Sequence, residues 1–537
     1  MDGVGDEIRE VARAELGYEQ LRPGQQDAVE ALLADRDVLA VMPTGAGKTA
    51  IYQLAGLLIG GATLVVSPLI ALQRDQLEGL EESDAAAAAE LNSTLSDTRH
   101  AETLDAFAAG DVEFLLLAPE QFANEETLAR LREAPPSLLV VDEAHCISEW
   151  GHDFRPDYLR LGGVIEDLGH PRVLALTATA APTVRREIVE RLRMREPEVI
   201  VKGFDRPNIH LAVKTFHDEE AKLAAVVDRV AEATRPGIVY AATRRGAEEL
   251  AEALEQRGIS AAAYHAGLAK GERAAVQDSF MADDLEAVVA TIAFGMGIDK
   301  PNVRFVFHAD ISDSVDSYYQ EVGRVGRDGD RADAILFYRA EDVGLRRFFG
   351  GTTSLTLDEV EAVAEAVAAT GAPLEPTELR DETGLPSSKV TAALNRLEEA
   401  GAVEILPSGE IAPGDGVADA AEAVEAQEAR REYDRSRVEM MRAYAELRDC
   451  RREFLLNYFG EPRDEPCGFC DNCDAGVTVE DEERPLALGS RVRHQAWGVG
   501  TLQRYEGDKL VVLFDEVGYK TLAVDLVEKK ALLTPEG

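Results

Sequence analysis

Across residues 1–350, short wholly apolar runs alternate with amphipathic stretches. Asp37–Met42, Ala62–Ser67, Val112–Leu117, Ser137–Val141 and Arg172–Leu176 read as buried strands. Between them, Ile70–Leu80, Asp97–Ala109, Gln121–Arg132, Arg155–Asp167 and Pro182–Arg193 carry helical periodicity. Alternation of this kind predicts a parallel sheet covered on both faces. Asp84–Glu90 is alanine-rich, so propensity favours helix where the alternation asks for a strand, and the pattern leaves it open. A second alternating run spans 204–350, with strands at Gly237–Ala241 and Ala287–Ala290, a strand ending in Ala262–Gly267, and a helix at Arg244–Arg257.

From Thr352 the texture changes. Leu357–Ala369, Pro376–Thr383 and Ser387–Ala400 are helical, with Val390, Leu394 and Leu397 on one face of the third. Val403–Ile405 and Glu410–Ile411, around Ser408-Gly409, read as a hairpin, so 352–412 has a winged-helix pattern. Its third helix offers Lys389 and Arg396 against Glu398 and Glu399, so binding to duplex DNA or only to protein both stay open. Gly414–Ala429 reads as a linker, and Arg430–Phe459 as a long helix carrying Cys450. After Gly489, alternating strands with glycine turns, including Lys509–Asp515 and Lys520–Val524, predict a small SH3-like barrel over 485–534. The expected fold is therefore multidomain: two α/β lobes (1–203 and 204–350), a winged helix (352–412), a helical subdomain (430–478) and an all-β barrel.

Composition narrows this little. The chain has 537 residues and a formal net charge of −44, which speaks against a plain nucleic-acid binder with a basic face and fits a solvated acidic surface. Met1–Gly17 reads as an acidic helix rather than an export signal. No charge interrupts the chain between Lys48 and Arg74, yet Gly60-Gly61 and Ser67-Pro68 cut that run into a helix, a turn and a strand, so no membrane span is expected. The five cysteines, four of them late in the chain, suit a reducing compartment and a metal better than disulfides.

The chemistry starts at Pro43-Thr44-Gly45-Ala46-Gly47-Lys48-Thr49, between a buried strand and an apolar helix. Gly45 and Gly47 let the backbone turn tightly and aim N–H groups at phosphate oxygens, and the helix adds its positive end. Lys48 would reach the β- and γ-phosphates of ATP, and Thr49 would hold Mg²⁺. Met42 stands where the strict pattern has its first glycine. Upstream, Tyr18, Arg22 and Gln25 have the groups to stack on a purine and bond its edge, although a helix start near Pro23 accounts for them equally well. Asp142 and Glu143 follow the apolar strand Ser137–Val141. There Asp142 can hold Mg²⁺, and Glu143 can orient the attacking water and take its proton. One of the two tryptophans lies in the next loop, with Trp150, His152, Phe154 and Arg155; exposed rings there suit base stacking, and a locally buried cluster is the alternative. Downstream, Tyr318–Gly329 reads as a helix ending in glycine. On it Arg324 and Arg327, three residues apart, would share a face and reach across a cleft to neutralise the transferring phosphoryl group.

These pieces together resemble the RecQ family of superfamily-two DNA helicases, over residues 16–345 and 435–475. They are Leu21–Gln25, Met42–Thr49, Ser67–Gln76, Leu91–Ser93, Pro119-Glu120, Asp142–Pro156, Thr177–Thr179 and Gln320–Gly329. The resemblance implies two recombinase-like lobes with ATP pinched between them and 3′→5′ movement on single-stranded DNA. It implies that the Trp150 loop couples DNA to hydrolysis and that Thr177 and Thr179 help link the lobes. Gln320 joins the arginines in the closing motif, and Asp299 is an acid near ribose and finger. Ala46 and Val325 depart mildly from the family pattern, and the winged helix precedes the zinc site instead of following it, which leaves the strand-separating hairpin unassigned.

Cys450, Cys467, Cys470 and Cys473, at offsets of seventeen, three and three, suit a closed tetrahedral zinc site rather than a redox dithiol. The barrel, with Trp497 early in it, resembles the Tudor-like module of UvrD/PcrA-type helicases, which implies a protein partner such as RNA polymerase. The expectation is an ATP-, Mg²⁺- and Zn²⁺-dependent helicase acting on single-stranded and branched DNA in repair and recombination, cytoplasmic and associated with a bacterial nucleoid. Two rivals are a DNA-stimulated translocase that separates no strands and a non-catalytic scaffold between DNA and the transcription machinery.

Overall fold

The structure, a computed structural model, describes residues 2–68, 73, 77, 80, 86–92, 95–148, 155–292, 294, 300–344, 356–370, 373–387, 389–390, 393–394, 397, 402–405, 411–414, 435–461, 465–476, 486, 490–506, 508–514 and 517–535. Trp150, His152, Phe154, Asp299 and Arg396 lie outside them, as do the Gly414–Ala429 linker beyond Gly414 and most of Ile70–Leu80.

Seven strands form the first sheet: β1 (Val38–Val41), β2 (Thr63–Val66), β3 (Ala88–Leu91), β4 (Phe114–Leu117), β5 (Leu138–Val141), β6 (Arg172–Thr177) and β7 (Glu198–Val201). Their order is β3-β4-β2-β5-β6-β1-β7, and every neighbouring pair is parallel. The pleat explains why the inner strands are apolar throughout. Val38, Ala40, Leu138 and Val140 enter one core, while Leu39, Val41, Leu139 and Val141 enter the core on the other face. Pairing settles the alanine-rich stretch: Ala88–Leu91 lies in register with Phe114–Leu117 at the sheet edge, so ladder bonds override helix propensity. Helices α1 (Gln25–Leu33), α2 (Lys48–Ile59) and α3 (Pro182–Arg191) belong to this lobe.

The second sheet holds β8 (Ile209–Thr215), β9 (Gly237–Tyr240), β10 (Ala261–Tyr264), β11 (Ala287–Ala290), β12 (Phe305–His308) and β13 (Ala332–Tyr338), again all parallel, in the order β10-β11-β9-β12-β13-β8. Its helix α4 (Val315–Val322) is capped by Ser314, whose hydroxyl accepts from the Ser317 N–H. The expected helix through Gly329 stops at Val322, so Arg324 and Arg327 sit in the turns beyond it and not on a common helical face. Gly326, at φ 57°, four residues past that end, keeps the helix from running on to Gly329.

Beyond the lobes, Leu357–Thr370 and Pro376–Thr383 pack with Val390, Leu394 and Leu397 around a small core closed by the antiparallel pair β14 (Val403–Ile405) and β15 (Ile411–Pro413). The long helix expected over 430–459 is broken. Residues 435–445 are helical, the chain then turns, and α5 (Arg451–Tyr458) begins with Cys450 as its N-cap. The turn is what lets Cys450 face the later cysteines. Five antiparallel strands end the chain: β16 (Arg491–His494), β17 (Gly498–Glu506), β18 (Lys509–Phe514), β19 (Gly518–Ala523) and β20 (Leu533–Pro535). Among the described residues no helix is long and apolar enough to cross a membrane.

Candidate active site

The phosphate loop leaves β1 at Met42, whose N–H is held by the Thr177 carbonyl at 3.0 Å. Gly45 (φ 81°) and Gly47 (φ 75°) take the left-handed conformations that the tight turn requires. Lys48 opens α2 and donates to the Met42 carbonyl at 3.1 Å, so its ammonium already lies across the loop mouth. Met42 is tolerated because its side chain points away from the loop: a Cβ on Gly24 would stand 2.6 Å from Met42 Cε. Gln25, buried, donates through Nε2 to the carbonyls of Ala46 (3.1 Å) and Gly47 (2.8 Å), and its Oε1 accepts from the Arg22 N–H at 2.7 Å. Both amide hydrogens are thus spent on the loop, which makes Gln25 a brace of the phosphate site; of its edge-reading groups, only a lone pair of Oε1 is left. Arg22 passes over Gly47, its Cδ 3.9 Å from where a Cβ would be, and Tyr18 donates to Gln53 Oε1 at 3.0 Å.

Asp142 lies at the carboxyl end of β5, nearly buried, with its N–H bonded to the Val66 carbonyl at 2.8 Å. Its Oδ1 accepts from the Glu143 N–H at 2.9 Å. Glu143 adopts φ 48°, a rare conformation for this residue type that turns its carboxylate away from the strand direction. His145 Nδ1 lies 3.3 Å from Glu143 Oε2 and 3.0 Å from Thr177 Oγ1. Burial opposes a charge on His145, but the Cys146 sulfur and the Glu143 carboxylate outweigh it and hold its pKa well above the usual imidazole value. The Thr177 hydroxyl in turn donates to the Thr179 carbonyl at 3.0 Å. These bonds of Thr177 and Thr179 lie within the first lobe and tie the pair to the acids through His145. Arg155 donates to the Pro68 carbonyl at 2.9 Å, anchoring the far end of the loop that carries Trp150.

The second lobe meets this face. A Cβ on Gly45 would touch Arg327, at 3.6 Å from Cγ and 3.7 Å from Cδ, and one on Gly323 would lie 4.0 Å from Thr44 Cβ. Arg324 is 6 % exposed and bonds Tyr240, whose hydroxyl burial pushes up to about 12 against the charges of both Arg324 and Arg327. Beside it, Glu321 accepts from Ser312 Oγ at 2.9 Å and lies 2.8 Å from His308 Nε2. Gln320 is half-buried on α4. The pattern of motifs gave no hint of Phe204–Asn208, which joins the lobes. Phe204 stacks on Phe459 at 4.7 Å and meets the tilted ring of Tyr319 at 5.5 Å, and its carbonyl accepts from the Tyr319 hydroxyl at 2.6 Å.

The sulfurs of Cys450, Cys467, Cys470 and Cys473 all lie within 4.8 Å of one another, and Cys467 and Cys473 are 3.9 Å apart. Thiolates at about 2.3 Å from one tetrahedral zinc stand about 3.8 Å from each other, so the cluster fits that ion. N–H groups of Cys467 and Phe469 point at the Cys450 and Cys467 sulfurs, at 3.2 and 3.3 Å, as second-layer bonds to such a site do. The module rests on the second lobe: Cys470 bridges Leu211, Asp471 Oδ2 accepts from the Val213 N–H at 2.8 Å, and Arg452 donates to the Ile209 carbonyl at 2.6 Å.

The chain matches the DEAD/DEAH box helicase family over residues 22–187, the helicase conserved C-terminal domain over 221–329 and the RecQ zinc-binding family over 415–474. It is 35% identical over 465 residues to "ATP-dependent DNA helicase RecQ" of Pasteurella multocida, covering 86% of this chain but only 62% of that relative. It is 34% identical over 500 residues to "Probable ATP-dependent DNA helicase RecS" of Bacillus subtilis, covering 90% of this chain and 97% of the relative. Among solved structures, the helicase MrfA bound to DNA superposes with a TM-score of 0.54 at 17% identity, over 79% of this chain and 64% of that one, which is a likeness of fold.

Proposed function

Because the chain belongs to the RecQ family of superfamily-two DNA helicases, we propose that it is an ATP- and Mg²⁺-dependent DNA helicase that moves 3′→5′ on single-stranded DNA and opens duplex or branched DNA in repair and recombination. The observation that carries this reading is the approach of Arg327 to Gly45: a cation of one lobe lies on the phosphate loop of the other. In this reading the backbone of Thr44–Gly47 and the Lys48 ammonium hold the triphosphate, and Thr49 and Asp142 are the residues that would hold Mg²⁺. That ion, when bound, would neutralise phosphate charge. Glu143, oriented by its αL backbone and by His145, positions the attacking water and accepts its proton. Arg327 stabilises charge on the transferring phosphoryl group. Arg324 and Gln320 support it from the second lobe, and Asp299 belongs to the same lobe's contribution by resemblance. Arg22 and Tyr18 face the base, while Gln25 ties base recognition to the loop.

Closing brings Arg327 to the phosphates and opening withdraws it, so a bound strand handed between the lobes is ratcheted. DNA contact through Trp150, His152, Phe154 and Arg155 rests on the family resemblance. The helical unit around β14 and β15 is read as a winged helix, supported by its three helices and hairpin, and β16–β20 as an SH3-like barrel, supported by five antiparallel strands around Leu502, Leu510, Val512 and Phe514. A protein partner at that barrel, RNA polymerase included, rests on resemblance alone, and so do the cytoplasmic and nucleoid assignments.

Strand displacement on 3′- and 5′-tailed duplexes, with and without ATP, tests the reading. ATP-dependent release from the 3′-tailed substrate alone is the expected result. DNA-stimulated hydrolysis without release would instead make the protein a translocase, and no hydrolysis would make it a scaffold.

A further inference from the structure

The segment joining the lobes turns Arg206 into the second lobe. Its guanidinium donates to the carbonyls of Val325 (2.8 Å), Gly326 (3.0 Å) and Gly323 (3.4 Å). Asn208 Nδ2 adds bonds to the carbonyls of Gly326 (2.7 Å) and Asp330 (2.9 Å). These carbonyls belong to the turns that follow α4, where the Gly326 carbonyl also accepts from the Gly329 N–H. Gly326 closes the grip, since a Cβ there would stand 2.5 Å from Asn208 Nδ2 and 2.8 Å from the Asp330 carbonyl. The backbone on both sides of Arg327 is therefore held from the interlobe segment and not only from its own lobe. Neighbouring Tyr319 bonds the Phe204 carbonyl, so the same segment also grips α4 itself. Burial lowers the pKa of Arg206, Tyr319 works against it, and the like charge of Arg22 adds to it.

We propose that Arg206 is a positioning residue for Arg327. Its planar fork gathers three carbonyls of the turn, so the arginine that meets the phosphate loop is aimed by the segment on which the lobes hinge. A lysine, with one compact ammonium, cannot span the three carbonyls, which makes Arg206→Lys the informative change. The same geometry offers a route by which lobe closure and arginine placement are one movement. The proposal rests on the reading of Arg327 as the phosphate-facing cation.

The test is a cycle on the full chain at saturating single-stranded DNA: Arg206→Lys, Arg327→Ala and the double variant, each with kcat and KM for ATP, affinity for a fluorescent ATP analogue, and Tm. Misplacement of a reacting group by about 1 Å costs about 10²-fold, and Arg206→Lys is expected to lower kcat by about that factor with KM and analogue affinity nearly unchanged. Because Arg206 acts through Arg327, the double variant is expected to be no slower than Arg327→Ala alone. Full kcat in Arg206→Lys, or a double variant slower by the whole Arg206→Lys factor, overturns the proposal. Full kcat in Arg327→Ala overturns the underlying reading instead. Should Arg206→Lys not fold, Asn208→Ala, which keeps the arginine but drops one bond to Gly326, enters the same cycle with a smaller expected loss.

Discussion

The two lobes share an architecture and divide the chemistry. Each is a wholly parallel sheet, of seven strands in the first lobe and six in the second. In the first, the groups follow strand ends: the loop that leads to Lys48 leaves β1 at Met42, held by the Thr177 carbonyl, and Asp142 follows β5, held by the Val66 carbonyl. In the second, Arg327 sits in turns past the end of a helix, and its place depends on the interlobe segment. The first lobe meets the zinc helix where Arg185 donates to the Phe459 carbonyl, whereas the edge strand β8 of the second pairs with the cysteine module itself. A site whose geometry comes from a sheet is preorganised at folding. One whose geometry comes from turns and a hinge is available to be moved, which a cycling motor needs from only one side.

Four measurements bear on that contrast. The largest effect concerns metal. Metal analysis should find one zinc per chain, and structural zinc sites supply about 10–16 kcal/mol. Chelation should therefore strip amide-exchange protection from 209–215 while 38–41 and 138–141 keep theirs; equal loss in both lobes would erase the asymmetry. Next, Arg327→Ala should lower kcat for ATP by about 10³–10⁵ without a fall in Tm. The buried Arg324→Ala should lower Tm as well, and identical behaviour of the two would break the distinction between facing the seam and facing Tyr240. Third, Lys48→Ala should cost about 10²–10³ or more in turnover while leaving the fold intact, as judged by circular dichroism. Persistent DNA-stimulated hydrolysis would remove the first lobe from the chemistry. The smallest concerns a contact where the zinc helix meets the second lobe: Tyr458 donates to Asp316 Oδ2 at 2.5 Å, and Tyr458→Phe should destabilise by about 1–3 kcal/mol in chemical denaturation.

Most of the first lobe was legible along the chain. Apolar four-residue strands and the loop between Val41 and Lys48 are local signals, and the strand pattern left β3 open, where alanines concealed it, and passed over β7. The second lobe was less legible. Arg324 and Arg327 stand out by spacing, but the spacing implied a shared helical face. Gly326 breaks that periodicity, and the turns, not a helix face, place Arg324 against Tyr240 and Arg327 against Gly45. Arg206 and Asn208 carry no periodic or spacing signal, because their partners are backbone carbonyls over a hundred residues away. Cys450 was visible as a ligand, yet the helix break that aims it was not.

By itself, the order of residues determined which chemical groups this protein owns: a phosphate-cradling loop, two acids after an apolar strand, a cationic pair and four thiols, each set by neighbours a few positions off. Which of those groups meet was decided by the tertiary structure alone. Arg327 packs against Gly45, Gln25 braces the loop around it, and the interlobe segment grips the arginine turn. Such outcomes depend on packing between segments far apart in the chain, and no local pattern encodes a distance of that kind.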